Sequence, residues 1–411
     1  MKKILIICDL FPPAFGPRMG YLCKYLVKAG WQPVVLTENL PDQTFSNLAG
    51  NCHVHAIPYY SWGKSRKATI QRGIASFMDF FFAYKNHKTY LEACRLIRQN
   101  QFSLILCSTY RTYPLHAAAR AARRYRLPWI ADLRDIIEQY AGYEFISRPL
   151  PPFLTKLIAP TFARISITRR NKLLRRANYV VTVSPWHEEK LRPQNVNIAL
   201  IYNGYDPEIF FPQPVESEKF IIVYAGRLLS SAMRNPELLF IALKRLHNDK
   251  HINPSICRVH WYIDKASWTI VKEEARRQDV EMFMDYKGMS PASEIPSILN
   301  RSSILLLLTN KTSSLGPKGI MTTKLFEYLA IEKPILCVQS DESHVAELIR
   351  KTRSGLAAVD STEVYNFLLK HYTQWQREKN ISVDIDRDAV SYFSRERQAL
   401  MFIELFDKII G

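Results

Sequence analysis

Three groups of residues in the second half of this chain have the types and spacing to hold a phosphorylated ligand. Val223-Tyr224-Ala225-Gly226-Arg227 is an apolar run ending on Gly then Arg, and Arg234 follows just before Asn235-Pro236. A glycine there permits close backbone approach, and the Arg227 and Arg234 guanidiniums can grip a diphosphate. Further on, residues 316–327 read as a flexible loop feeding a helix. The first-turn N–H groups at Met321, Thr322 and Thr323 then lack intrahelical acceptors and form an anion site. Lys324 and Glu327 stand three apart, on one face of that helix. A cation beside phosphates and a carboxylate accepting from both ribose hydroxyls suit this placement. Third, Tyr286-Lys287-Gly288-Met289-Ser290 turns off a strand where a base meets backbone atoms. Taken singly, these are also the residues of an ordinary strand–helix turn, a helix-start pair and a turn glycine; their order and spacing together favour a ligand.

The elements that must position these groups follow from hydrophobic periodicity. Residues 3–8 form a short apolar run, the Pro-rich stretch 11–17 ends it, and Met19, Leu22, Cys23, Leu26 and Val27 recur at helical spacing until Gly30. Short runs at 34–37, 54–57, 104–107, 129–131 and 179–183 alternate with helical patterns. Breakers gather from Asn203 to Pro214, and a second alternation follows: strands at 220–224, 259–263, 282–286, 304–308 and 334–338, with helices from Asn235, over 267–277 and from Thr322. Strands alternating with helices predict α/β architecture with doubly wound parallel sheets. We divide the chain into 1–203, 204–388 and a terminal helix, 389–411, packing near the domain junction. In open sheets of this kind ligands bind outside the carboxyl ends of the strands, here in the crevice between domains. Asp132-Leu133-Arg134-Asp135 follows the strand at 129–131 and so faces that crevice. With Arg18 these are acceptor-side candidates, an internally satisfied ion-pair cluster being the alternative.

Composition narrows the function classes. The 411 residues are 47% hydrophobic, and the net charge of +18 is unevenly placed. Residues 1–200 hold 29 Lys and Arg against 11 Asp and Glu, whereas 201–411 hold 27 of each. A field confined to one half attracts anionic lipid or phosphorylated substrate. Nucleic acid would also suit, but no reading motif is present, so no nucleic acid is expected. Lys64–Lys67 and Arg72 precede a stretch with Phe77, Met78, Phe80, Phe81 and Phe82; residues 156–176 mix Leu157, Ile158, Phe162, Ile165 and Ile167 with Arg and Lys. Such mixtures fit a helix resting on an anionic membrane surface, although a core helix with a solvated face would read similarly. Seven cysteines without a C-x-x-C pair suit a reduced cytoplasmic protein. Asp9 and Pro12-Pro13 interrupt the N-terminal apolar run too early for a signal peptide, and no stretch of about 18 apolar residues exists. No metal site is expected. His247 and His251 stand four apart with no glutamate after the first, and Asp384-Ile385-Asp386 lies outside a strand end.

Over nearly its full length the chain resembles the family-4 glycosyltransferases of GT-B fold. The resemblance runs through residues 9–16, 108–135, Thr182-Val183-Ser184-Pro185, Tyr202-Asn203-Gly204-Tyr205-Asp206 and 225–234, and is most specific at Lys324-Leu325-Phe326-Glu327-Tyr328-Leu329-Ala330 before Lys333-Pro334-Ile335-Leu336. It implies two Rossmann-like domains facing across a cleft, and a retaining, metal-independent transferase without cofactor. The donor is a nucleotide-diphosphate sugar; the acceptor is a saccharide or polyprenyl-diphosphate-linked saccharide in surface polysaccharide assembly. The basic, apolar-interleaved stretches lead us to expect a peripheral setting on the inner face of the plasma membrane. By this resemblance Glu327 holds the donor ribose, Arg227 and Arg234 the diphosphate, and Gly319, Ile320, Met321, Thr322 and Thr323 the sugar and phosphates. Gly226 and Met289 complete the donor site. Gly16 resembles the glycine facing the donor phosphate, and His116 the histidine near the transferred sugar. The family often carries a glutamate eight positions before its ribose-binding one, and Gly319 stands there. That departure implies a changed sugar preference. It also keeps open a non-catalytic nucleotide-sugar-binding scaffold and a GT-B-fold sugar-nucleotide epimerase.

Overall fold

The structure is a computed structural model that describes residues 2–60, 62–63, 65–110, 112–140, 152–228, 230–231, 233–309, 319, 321–381 and 383–411. The chain forms two compact units, Met1–Tyr202 with Arg395–Gly411, and Asn203–Ser394.

The first unit is built on strands β1 (Lys3–Cys8), β2 (Gln32–Glu38), β3 (His53–Ile57), β4 (Leu104–Thr109), β5 (Trp129–Leu133), β6 (Tyr179–Thr182) and β7 (Ile198–Leu200). All pair in parallel, in the order β3-β2-β1-β4-β5-β6-β7. Helices α1 (Pro17–Lys28), α2 (Arg66–Phe82), α3 (Tyr84–Gln99), α4 (Leu115–Tyr125), α5 (Pro152–Leu174) and α6 (Pro185–Leu191) connect them. A parallel sheet covered on both faces reads as unbroken apolar strands, and Ile4, Leu5, Ile6 and Ile7 are all fully buried. Leu5 and Ile7 face Tyr90 and Leu96 of α3 and the small stripe Ala117, Ala118, Ala121 and Ala122 of α4. Ile4 and Ile6 face Met19 and Leu22 of α1.

The second unit has β8 (Phe220–Ala225), β9 (Cys257–Tyr262), β10 (Met284–Tyr286), β11 (Ile304–Leu308), β12 (Ile335–Val338) and β13 (Gly355–Ala357), again all parallel, in the order β10-β9-β8-β11-β12-β13. Its helices are α7 (Glu237–Asn248), α8 (Lys265–Arg277), α9 (Ile295–Asn300), α10 (Thr323–Ile331), α11 (His344–Lys351), α12 (Ser361–Glu378) and α13 (Arg387–Ser391). Trp261, Phe240, Leu306 and Trp375 sit in its core.

The expected terminal helix is two helices. After α13 the chain bends through residues 392–394, where Tyr205 N–H donates to Phe393 O at 3.1 Å, and then enters α14 (Arg395–Ile410), which belongs to the first unit. There Phe402 and Phe406 join the α1 face of the core, and Phe406 meets Trp31 edge-on at 5.4 Å. Truncating the fully buried Phe406 to alanine costs roughly 3–5 kcal/mol.

The strand order reverses direction between β1 and β4 in one sheet and between β8 and β11 in the other. At such switch points adjacent connections leave on opposite faces, opening a crevice outside the carboxyl ends. The second strand order places Gly226 and the start of α10 at one such point; the first places Asp9 and Thr109 at the other.

Candidate functional site

In the second unit the strand β8 runs directly into Gly226, whose φ of +119° a side-chain-bearing residue rarely adopts. A β-carbon at Gly226 would fall 2.5 Å from Lys324 Nζ, so the α10 lysine lies against this bare backbone. The Lys324 ammonium also stands 5.6 Å from the centroid of the buried Tyr224 ring. Burial first, and then the neighbouring Arg234, lower the Lys324 pKa to about 7, while Glu327 acts in the opposite sense. Arg234 is held by donating to the Arg227 carbonyl, which also accepts from Tyr224 Oη at 3.1 Å. Lys324 and Arg234 therefore converge on one spot, a like-charged pair that an anion would relieve.

Arg227 is placed differently. It is 67% exposed and ion-paired through Nε to Asp264 Oδ2 at 3.2 Å, on the shoulder of the site. Asp264 caps α8 by accepting from Ser267 N at 2.8 Å. The pairing holds Arg227 near the β8 end without burying it, so it remains available to a ligand.

The entry to α10 supplies the amide donors. Thr322 is its N-cap residue, in extended conformation, and makes no side-chain cap bond. The Thr322 Oγ1 is buried without a hydrogen-bond partner among the described residues, and Met321 is buried beside it. The first-turn amides of Thr323 and Lys324 have no carbonyl one turn earlier to bond. Glu327 is half-buried one turn along. Gly319 has φ of +60°, and a β-carbon there would fall 2.5 Å from His344 Cβ at the start of α11. The place a side chain would take at position 319 is thus filled by His344. Ile320 lies outside the described residues, as does Lys64. Met289 is 55% exposed beyond β10, next to Gly288 with φ of +75°, while Tyr286 stacks on Trp268 at 5.0 Å.

In the first unit the candidates separate into two groups. Arg18 and Asp132 form a buried ion pair at 2.8 Å, 5% and 0% exposed. Asp132 also accepts from Ser108 Oγ at 2.7 Å, and Arg18 donates to the Ile201 and Tyr202 carbonyls. This pair ties α1, β4, β5 and the chain beyond β7 together from within, and neither side chain offers an acceptor an exposed surface. Arg134 and Asp135 instead lie above the strand ends. Arg134 donates to Asp9 Oδ1 at 2.6 Å, and Thr109 Oγ1 donates to Asp9 Oδ2 at 3.2 Å, joining the ends of β1, β4 and β5 at the switch point. Burial pushes the Asp135 carboxyl above its usual range, and Gln139 donates to it at 3.0 Å. Gln139 in turn faces the buried His187, whose pKa burial lowers to about 4. Sequence reasoning missed Asp9, Thr109, Gln139 and His187, which share no local pattern and meet only through sheet order.

Gly16 ends the loop before α1, and a β-carbon there would strike Leu10 O at 2.7 Å, so only glycine fits. His116 is exposed on the outer side of α4, where burial and then Arg120 and Arg169 hold its pKa below the usual value. It lines a groove with Arg120 and Arg123 rather than joining the Asp9–Arg134 group. The Asp384 and Asp386 carboxylates pair with Arg353, and Asp386 caps α13. His247 packs on Phe283 and His251 on Tyr365, each in its own setting.

Residues 15–204 match the family described as glycosyl transferase 4-like domain. No curated protein matches the chain in sequence. Among solved structures, HepE from Anabaena in complex with UDP-glucose aligns with a TM-score of 0.65 at 15% identity, over 99% of this chain and 100% of that one. A glycosyltransferase from Rickettsia africae aligns at 0.63 and 16%, over 100% and 99%. Sucrose-phosphate synthase from Thermosynechococcus elongatus aligns at 0.61 and 14%, over 100% and 99%. Residues 15–204 are thus similar to a glycosyl transferase 4-like domain, and the chain as a whole shares the GT-B fold of these solved structures.

Proposed function

We propose that the protein transfers a sugar, with retention at the anomeric carbon and without a metal ion, from a nucleotide-diphosphate sugar to a saccharide or lipid-linked saccharide in surface polysaccharide assembly. The observation that carries the reading is the convergence of Lys324 and Arg234 on the bare Gly226 backbone at the second sheet's switch point. Structural neighbours bind UDP and UDP-glucose, which supports a nucleotide sugar as donor.

In this reading the diphosphate lies between Lys324, Arg234 and the first turn of α10, with Arg227 reaching it from the shoulder. Glu327 accepts from the ribose hydroxyls, and the base lies against the backbone at Gly288 and Met289. The C1–O bond to the diphosphate lengthens, and its electron pair stays on the leaving phosphate oxygen. The cations and α10 amides stabilise that charge as it grows. The acceptor oxygen bonds to C1 from the same face and passes its proton to the departing oxygen, so no side-chain base is needed. Arg134 and Asp135, at the strand ends of the first unit, orient the acceptor. His116 faces the α4 groove and is given no role in the step.

The acceptor's setting is an anionic membrane surface on the cytoplasmic side. In support, α2 exposes Ile70, Ile74, Phe77 and Phe82 at 54–66% beside Arg66, Lys67 and Arg72, and α5 exposes Leu157 at 74%. Among the described residues no helix is long and apolar enough to cross a membrane. Purified protein incubated with a panel of UDP- and GDP-sugars tests the reading: transfer or slow donor hydrolysis supports it. Donor binding without either reaction favours a scaffold, and an isomerised donor favours an epimerase.

A further inference from the structure

A groove of about 840 Å³ runs along the outer side of α4 in the first unit. His116, Arg120 and Arg123 follow one another at helical spacing on that face, Arg126 ends the helix, and Arg176 enters from the turn after α5. Its floor is Trp129 at the start of β5, whose indole N–H donates to the Arg176 carbonyl at 3.0 Å, fixing that turn against the sheet. Arg120 is held in place over the Tyr90 ring at 4.0 Å. Among the described residues no aspartate or glutamate lines the groove. Arg123, Arg126 and Arg176 show no ion pair or side-chain hydrogen bond among the described residues, although exposed arginines elsewhere in the unit, such as Arg95 and Arg192, find carboxylates nearby. The stripe from residue 116 to 126 spans roughly 15 Å along the helix. Like charges at this density repel one another and hold the local potential high until an anion enters.

We propose that this groove binds phosphoryl groups, two or more at a time, at a site separate from the donor diphosphate. Arginine forks suit phosphate oxygens, and several along one rod suit neighbouring headgroups or a short polyphosphorylated chain better than a single small anion. Anionic lipid headgroups are the source that the surroundings favour. The C-terminal end of α5 forms a wall of the groove through Leu173, and the same helix exposes Leu157, Ile158, Phe162 and Ile165. The choice of lipid rests on the membrane reading above, whereas the anion site does not.

The test uses the full chain and the triple variant Arg123→Gln, Arg126→Gln, Arg176→Gln, none of which is among the proposed donor-site residues. Sedimentation with phosphatidylglycerol vesicles, against phosphatidylcholine vesicles, reads the headgroup source. Calorimetric titration with tripolyphosphate in saturating UDP reads the soluble source. Each arginine near an anionic surface is worth about fivefold in partitioning, so the triple variant should lose roughly a hundredfold on phosphatidylglycerol. Its UDP-induced thermal shift should be unchanged, which shows that it is folded. Loss of tripolyphosphate binding with vesicle binding intact retains the site and assigns it a soluble phosphoanion. If the wild type and the triple variant bind both probes alike, the proposal is overturned. Should vesicle binding fail while donor turnover persists, the membrane reading falls and the transferase reading stands.

Discussion

Gly226 and Lys324 fill one another's space: a β-carbon on the glycine would lie 2.4 Å from the lysine Cε. The contact joins the end of β8 to the first turn of α10, two segments that lie about a hundred residues apart and meet at the sheet's switch point. Replacing Gly226 with alanine forces φ of +119° on a residue that resists it and displaces the lysine tip. The strain should cost about 1–3 kcal/mol of stability. UDP affinity should fall by more than tenfold, since in the proposed reading the displaced ammonium is one of the cations that hold the diphosphate. Paired thermal melts and calorimetric titrations of Gly226→Ala separate the two effects.

Lys324 makes donor binding depend on pH. With a pKa of about 7 in the free protein, it is half-charged at neutrality, and a bound diphosphate favours its charged form. Binding above pH 7 should therefore take up a fraction of a proton, and affinity should weaken as pH rises from 7 to 9. The ligand-free protein shows the opposite trend. Between about pH 7 and 10.5 the unfolded chain holds the proton that native Lys324 has lost, so this group's contribution to stability rises with pH across that window. Calorimetry in buffers of different ionisation heat counts the proton, and Lys324→Met should abolish its uptake.

Arg18 and Asp132 make a structural prediction. Arg18→Met strands a fully buried carboxylate with Ser108 as its remaining side-chain donor, and loss of one partner from such a pair costs about 3–5 kcal/mol. The melting temperature should fall by several degrees. The KM for acceptor, measured well below the melt, should be unchanged. A normal melt with a raised acceptor KM would give the pair the acceptor role that its burial argues against.

In the proposed reading Gly319 and His344 bear on donor sugar choice. Gly319→Ala should weaken donor binding severalfold, because the new methyl meets His344 Cβ while φ is +60°. Adding His344→Ala should recover part of the loss by opening the space, leaving the backbone strain. Titration of the single and double variants with UDP-glucose checks this; no recovery in the double variant would show that backbone strain alone is responsible.

Much of this was legible in the chain itself. Ile4-Leu5-Ile6-Ile7 and the leucine run of β11 read as buried strands because parallel sheets bury both faces. Gly226, Arg234, Lys324 and Glu327 stood out by their local order, and the structure brings Gly226, Lys324 and Arg234 together. What stayed hidden depends on pairing. Strands β7 and β13 are three residues each and half-buried, too short for any period to declare them. The switch points need the sheet order, so the meeting of Asp9, Thr109 and Arg134 had no sequence signal. His344 fills the space at Gly319 from another helix, and His116 turned toward an arginine groove that only the packing of α4 beside α5 creates. The apolar spacing over residues 390–410 continued through a break at 392–394 that a passage between units imposes.

The central claim is that Lys324, Arg234 and the α10 entry hold a nucleoside diphosphate. Calorimetric titration of UDP and GDP into the wild type and into Arg234→Ala tests it most directly. We expect micromolar binding of one of the two by the wild type and at least a tenfold loss in the variant. Equal affinities in the two proteins, or no binding of either nucleotide by the wild type, would contradict it.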